Sequence, residues 1–277
     1  MDESGYCRDS PECHSAGGRP ASCVEGRRAV TSHGLSLAIR TLTRFPVPGK
    51  GEDAPEKSLF WFPLVGAVLG LCSYAVALLP FEASVRAALV LALSAYLTRA
   101  FHLDGLADFA DGLGGGWNRE RALEIMRDSH SGAFAVVTLI VVLLLQYSCL
   151  TVLVDSHPQA LILAPAIGRL MQVLAASALP YARSGEGTAS QLVRRASKKH
   201  GILPFAQVLA ACTLCYFSYD ETFALKAFLA LGLALLMNLT VMRVAKKRLG
   251  GVTGDVLGAI EVLCESAALL AFLLPLA

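Results

Sequence analysis

The sequence predicts an all-α fold: a polytopic membrane bundle of about seven transmembrane helices, with further helices on its cytoplasmic face. Three observations carry this. Of 277 residues, 55% are hydrophobic and only 17% charged, and the mean hydropathy is +0.55, whereas soluble domains carry about 25% charged residues. The charge deficit is concentrated in blocks of roughly 18–22 residues, the length a helix needs to cross ~30 Å of hydrocarbon. The Lys and Arg residues fall between those blocks in a one-sided pattern. A large soluble helical core is the alternative, but soluble helices are rarely apolar all round.

Residues 1–33 are polar, contain Gly, Ser and Pro, and show no periodicity, so they read as a disordered leader. They lack the apolar stretch of a signal peptide, and no cleavage is expected. Residues 34–277 form one membrane domain. From 35 to 45, apolar positions recur at helical spacing with Arg40 and Arg44 among them, which suggests an interfacial helix ended by Pro46 and Pro48. Seven spans follow, at about 59–80, 83–101, 133–154, 158–179, 202–219, 222–242 and 256–276. Short turns join the first and second, third and fourth, and fifth and sixth; long polar loops join the others.

Twenty of the twenty-four Lys and Arg residues lie before residue 59 or in the loops 102–132, 180–201 and 243–255, and none lies in the short turns. If seven spans alternate, all these loops share one side, which the positive-inside rule makes cytoplasmic. The N-terminus is then inside and the C-terminus outside. The net charge of +2 gives no sign of a nucleic-acid partner. The eight cysteines do not form a disulfide framework. Cys7, Cys13 and Cys23, with His14, are irregularly spaced in the leader. Cys72, Cys149, Cys212, Cys215 and Cys264 lie in apolar segments, where cysteine acts as a small hydrophobe; this includes the Cys212-Thr-Leu-Cys215 pair despite its redox-like spacing.

The chemistry concentrates in His102-Leu-Asp-Gly-Leu-Ala-Asp-Phe-Ala-Asp-Gly112. Asp104, Asp108 and Asp111 stand at i, i+4 and i+7, within about 60° of one another on one helix face. Packing does not ask for that repulsion, and a divalent cation would relieve it; oxygen ligands suit Mg²⁺ or Mn²⁺. The alternative is a solvated acidic turn, but Leu106, Ala107, Phe109 and Ala110 give the helix a face to bury. His102 points away from the aspartates by helical phase, outside a metal shell. Gly112, Gly114, Gly115 and Gly116 follow as a glycine-rich turn that could cradle an anion or simply end a helix.

Residues 118–128 read as a helix with a solvated face of mixed charge. Arg127-Asp128-Ser129-His130 then leads into a span and is a candidate phosphate or metal contact. Arg183 in the loop 181–187 could hold phosphate bidentately or snorkel at the interface. Arg194, Arg195, Lys198 and Lys199 read as topology determinants or lipid-headgroup contacts. Thr253 and Asp255 open the last span. Within it, Glu261 and Glu265 each cost about 2.5–3.5 kcal/mol in a membrane unless partnered. Arg169 in the fourth span is the candidate partner, and Asn238 is a candidate to join them. A buried structural ion pair is the plain alternative.

These segments together resemble the cobalamin synthase family, the adenosylcobinamide-GDP ribazoletransferases. The matching runs are Arg40-Thr-Leu-Thr-Arg-Phe-Pro-Val-Pro48, the segment from His102 to Gly116, Arg121-Ala-Leu-Glu-Ile-Met-Arg-Asp-Ser129, Pro180-Tyr-Ala-Arg183 and Gly251-Val-Thr-Gly-Asp-Val-Leu-Gly-Ala-Ile-Glu261. They occur in family order after residue 33. The chain departs from the pattern at His130, where the family usually has Arg, at Ser131-Gly132, usually Ile-Gly, and at Ala135, usually Gly. A phosphate contact from position 130 is therefore weakened, because His is mostly uncharged at neutral pH. The resemblance implies a Mg²⁺-dependent transferase of the bacterial cytoplasmic (inner) membrane that joins adenosylcobinamide-GDP to α-ribazole or its 5′-phosphate and releases GMP. It implies Asp104, Asp108 and Asp111 as metal ligands, and Asp255 and Glu261 as completing the metal shell or the base. Arg127, Asp128, Ser129, Arg183, Gly114, Gly115 and Thr253 would contact substrate or phosphate. A homo-oligomer or a complex with other cobamide-assembly enzymes would suit such a protein.

Two other readings compete. A CDP-alcohol-type lipid phosphotransferase also gathers aspartates at a membrane face, but here the Asp-x-x-Asp-Gly run from Asp108 to Gly112 ends the cluster instead of starting it. A transporter could use Glu261, Glu265 and Arg169 as a coupling site, which leaves the aspartates of the 102–112 run unexplained.

Overall fold

The computed structural model describes residues 34–48, 54–185, 189–219 and 221–275. The leader, Glu186 and Gly187 of the 181–187 loop, and Asp220 of the third short turn lie outside these. Among the described residues every regular element is helical, and one isolated bridge is the sole β-type pairing. Helix α1 (34–42) buries Ala38 and Leu42, leaves Arg40 exposed, and ends before Pro46 and Pro48. A short 3₁₀ turn (Pro55–Trp61) runs into α2 (Phe62–Ala77), and α3 (Ala83–Thr98) returns. Then follow α4 (Phe101–Gly115), α5 (Arg119–Ile125), α6 (Ala133–Ser156), α7 (Ala160–Ala178), α8 (Ser190–Arg195), α9 (Lys199–Ser218), α10 (Glu221–Leu249) and α11 (Gly254–Phe272).

Among the described residues, five helical stretches are long and apolar enough to cross a membrane, and a sixth counts if α3 and α4 are one bent span. The difference from about seven has two physical causes. The second predicted span stops early: Arg99 and Ala100 both take positive φ (58° and 53°), and the chain turns by 88° into α4. Helix α3 keeps 16 residues, or roughly 24 Å, against ~30 Å of hydrocarbon. The last predicted span does form, as α11, but it carries Asp255, Glu261 and Glu265. It can do so because it is the central helix, packed against α4, α7 and α10 and buried on nearly every side. By contrast α6, α9 and α10 leave most of their surface open, as lipid-facing helices do.

The two ends of the bundle differ as the charge pattern requires. At one end the short turns meet: Arg86 pairs with Asp155 at 2.5 Å, Lys226 Nζ lies 3.1 Å from His157 Nε2, and Phe223 stacks on Phe272. At the other end α1, α4, α5, α8 and the turn before α11 collect. Arg119 donates to the carbonyls of Leu249 and Ala182, and Arg248 to those of Leu113 and Gly116. These two arginines tie three distant loops together. Cys212 and Cys215 are buried in α9, and the described cysteines are all free, in keeping with their expected apolar role.

Candidate active site

Helix α4 is amphipathic and docks by burying His102, Gly105, Leu106, Phe109 and Gly112. That orientation leaves Asp104 exposed, Asp108 half-buried and Asp111 buried. The first turn of α11 crosses α4 at Gly105. A Cβ there would lie 2.8 Å from the carbonyl oxygen of Asp255 and 3.0 Å from its Cα, so only glycine permits this approach. The crossing brings Asp255 into electrostatic contact with Asp104 and Asp108.

The opening of α11 is tightly specified. Thr253 Oγ1 accepts from Val256 N at 3.3 Å, capping the helix, and donates to Asp255 Oδ2 at 3.2 Å. Arg183 Nη2 donates to the same oxygen at 2.7 Å and to the carbonyl of Met126 at 3.2 Å. Arg183 is placed there by a parallel bridge between Tyr181 and Val252, in which Ala182 N donates to Val252 O (2.8 Å) and Val252 N to Pro180 O (2.9 Å). The chains come so close that a Cβ on Gly251 would stand 2.1 Å from the Pro180 carbonyl oxygen. The Pro180–Arg183 and Gly251–Asp255 runs, about seventy residues apart in sequence, are one structural unit.

The charges are out of balance. Burial first, then Asp255 and Asp104, push the Asp108 carboxyl up to about 7; Arg183 opposes the shift. Three carboxylates thus face one arginine, an arrangement that favours a further cation. Among the described residues no three His, Cys, Asp or Glu side chains converge into a finished metal cage. Asp111 has a different engagement from its two neighbours: its oxygens accept from Gly132 N (2.6 Å) and Ala135 N (2.9 Å), which caps the start of α6 and answers its dipole.

Several predicted contacts land elsewhere. Gly114 and Gly115 are not in an anion-cradling turn; they continue α4 to its end. A helix C-terminus presents carbonyl oxygens rather than N–H groups, and here Arg248 takes them. Arg127, Asp128 and Ser129 are exposed and follow Met126, whose carbonyl accepts from Arg183, and Asp128 Oδ1 lies 2.6 Å from His130 Nδ1. Glu261 lies less than two turns beyond Asp255, roughly 9 Å along the helix. It contacts Arg169, which also bonds Glu265 at 2.8 Å, so the predicted partner meets both acids. Asn238 is buried, and no hydrogen bond or ion pair links it to them among the described residues. His102 does face away from the aspartates, and its Nδ1 lies 3.4 Å from Glu261 Oε2. Sequence reasoning missed that pairing, although helical phase already put His102 on the docked face.

Sequence reasoning did not locate the cavities. A groove of about 1100 Å³ between α1, the α3–α4 elbow and α6 is lined by Arg40, Arg44, Arg99, Asp104 and Ser131. A second cavity of about 470 Å³, beside Gly254 and Leu257, is lined by Phe62, Gln172 and Ser190.

A helical membrane bundle with an acidic cluster and a paired arginine at its polar end defines a class: a polytopic membrane protein whose charged groups gather at one end of the bundle. The chain belongs to the Cobalamin-5-phosphate synthase family, whose profile matches residues 34–273. It is 42% identical over 236 residues to the adenosylcobinamide-GDP ribazoletransferase of Chlorobium phaeovibrioides, covering 84% of this chain and 93% of that one. It is 41% identical to the protein of the same name from Prosthecochloris aestuarii (84% and 94% covered) and 39% identical to that of Stutzerimonas stutzeri (85% and 95%). No solved structure matches the chain. The family decides against the lipid phosphotransferase and transporter readings.

Proposed function

We propose that the protein transfers the adenosylcobinamide-phosphate moiety of adenosylcobinamide-GDP onto α-ribazole or its 5′-phosphate. The acceptor 3′-hydroxyl oxygen forms a bond to the phosphorus carrying the corrinoid side chain. The bond from that phosphorus to the bridging oxygen breaks, GMP leaves, and the hydroxyl proton passes to a carboxylate. The observation that carries this reading is the meeting of Asp104, Asp108 and Asp255 with Arg183 beside a groove large enough for a nucleotide, in a chain of this family.

The donor set suits Mg²⁺, with Mn²⁺ as a substitute: the oxygens are hard, and the cluster is short of positive charge. Mg²⁺ needs only one or two protein carboxylates when substrate phosphates complete its shell. Asp104 and Asp108 would hold it, with Asp255 opposite and Asp111 fixing the α4–α6 junction behind them. When bound, the ion supplies Lewis-acid neutralisation of the diphosphate charge. Arg183 keeps Asp255 oriented, and a cluster carboxylate not otherwise engaged serves as proton acceptor. Arg127, Asp128 and Ser129 meet phosphate as substrate arrives. Glu261, paired with Arg169 and His102, supports the first turn of α11 from below. The charged end and the N-terminus face the cytoplasm of a bacterial inner membrane, and the C-terminus faces out. Self-association or assembly with other cobamide-forming enzymes fits a product passed along a membrane.

The test is release of GMP by purified protein in nanodiscs supplied with adenosylcobinamide-GDP, α-ribazole 5′-phosphate and Mg²⁺. Folded protein that releases none refutes the assignment. Folded Asp108→Asn with near-normal Mg²⁺-dependent turnover refutes the metal role.

A further inference from the structure

The large groove beside the carboxylate cluster carries cations to which the function proposed above gives no role. Its apolar wall comes from Leu37, Leu103, Leu139 and Leu143, and its polar rim from Arg40, Arg44 and Arg99. The three arginines arrive from two elements held in register. Arg44 N donates to the Leu97 carbonyl at 2.8 Å, and Arg99 Nη2 to the Arg40 carbonyl at 3.0 Å. The elbow between them is strained: consecutive non-glycine residues Arg99 and Ala100 sit in the left-handed region, where a residue with a Cβ is held only by its surroundings. The turn they make starts α4 at right angles to α3, so Arg99 and Asp104 line the same groove.

The cations are poised for an anion. The Arg44 guanidinium lies over the Tyr96 ring at 3.8 Å. A guanidinium held over a ring by its face keeps its in-plane N–H groups available to an anion. Among the described residues, neither Arg44 nor Arg99 pairs with a carboxylate. The one acidic lining residue, Asp104, belongs to the carboxylate cluster, so an anion in the groove would sit beside the reacting groups. A volume of about 1100 Å³ exceeds what a single phosphate needs and lies just above the roughly 300–1,000 Å³ of most ligand clefts.

We propose that this groove is the subsite for the diphosphate of the nucleotide-activated donor, with Arg44 and Arg99 as its anion-binding side chains and the apolar wall receiving the bulky group attached to it. The assignment rests on the function proposed above. A phosphate ester could also come from an anionic lipid headgroup, and the test separates the two sources.

Donor and acceptor KM are measured for Arg44→Ala, Arg99→Ala and Arg44→Lys, with Arg121→Ala on α5 as a control outside the groove. The nanodiscs are made of phosphatidylcholine with and without phosphatidylglycerol. Binding of inorganic pyrophosphate is measured in parallel by calorimetry. Each alanine variant should raise donor KM about tenfold or more (~1.4 kcal/mol), with acceptor KM and kcat within about twofold, and should weaken pyrophosphate binding equally. Arg44→Lys, which keeps charge and loses the fork, should fall between. Unchanged donor KM in both alanine variants overturns the subsite; so does an effect confined to the phosphatidylglycerol dependence, which would mark a lipid site. If wild type releases no GMP, the proposed function and the donor assignment fall together, and pyrophosphate still decides the groove as a diphosphate site: binding lost in the alanine variants upholds that site, and binding unchanged removes it. An alanine variant that does not fold is judged by Arg44→Lys.

Discussion

Gly105→Ala tests whether the site depends on the close crossing of α4 and α11. The added methyl would stand 2.8 Å from the Asp255 carbonyl oxygen and 3.0 Å from its Cα, where non-bonded carbon contacts prefer about 3.5–4.0 Å. Both obstructing atoms are backbone, so no side chain can swing aside. The first turn of α11 must retreat by roughly 0.7 Å, and Asp255 moves with it, away from Asp104 and Asp108. Overpacking of this kind costs about 1–3 kcal/mol, and a misplacement approaching 1 Å can lower turnover by about 10². The comparison is Gly232→Ala in α10, where a Cβ meets nothing within 4 Å and helix propensity favours alanine by roughly 0.5–1 kcal/mol. Thermal unfolding and GMP release are measured for both. Gly105→Ala should unfold lower and lose kcat by ten- to a hundredfold, on the order of the penalties above, while Gly232→Ala keeps both. Gly105→Ala with wild-type kcat would show that Asp255 does not act from the position the crossing gives it.

Three further outcomes follow from the same geometry. The raised Asp108 carboxyl, at about 7 without cation, binds a proton in the folded state that the unfolded chain has already lost. Stability in EDTA should therefore fall as pH rises from 4 through 7, Mg²⁺ should restore it at pH 8 and release protons when added at pH 6, and Asp108→Asn should reduce the slope; a flat melting profile in wild type contradicts this. Arg169→Met leaves Glu261 and Glu265 without their buried cation and should cost about 3–5 kcal/mol, so an unshifted melting temperature would disprove the pairing. Asp111→Ala removes the cap on α6 and should cost about 0.5–2 kcal/mol, whereas Asp104→Ala, at an exposed position, should lose activity with little change in melting; the reverse pattern would exchange their roles.

Much of this architecture is legible along the chain because it is local. Apolar block length sets the helices, prolines end α1, and the one-sided Lys and Arg pattern anticipates which loops gather at one end. The helical phase of α4 separates Asp104 and Asp108 from His102, and the shortage of partners for two acids in α11 points to Arg169. What the sequence does not reveal is long-range or stereochemical. The left-handed pair Arg99–Ala100 carries no local signal, yet it shortens α3 and sets α4 across the end of the bundle. The bridge of Tyr181 to Val252 unites two runs that are far apart in sequence, and so turns Arg183 from an uncommitted cation into the partner of Asp255. Gly114 and Gly115 resemble a turn in composition but stay helical because Arg248 satisfies the end of α4. Asp111 shares a face with its neighbours by periodicity, and only the arrival of α6 makes it a cap. Residue spacing thus determined that this is a helical membrane protein with three carboxylates spaced along α4. Tertiary contact decided which carboxylates meet, because that depends on where α11 and α6 cross α4, and a crossing point is a property of two surfaces rather than of either sequence.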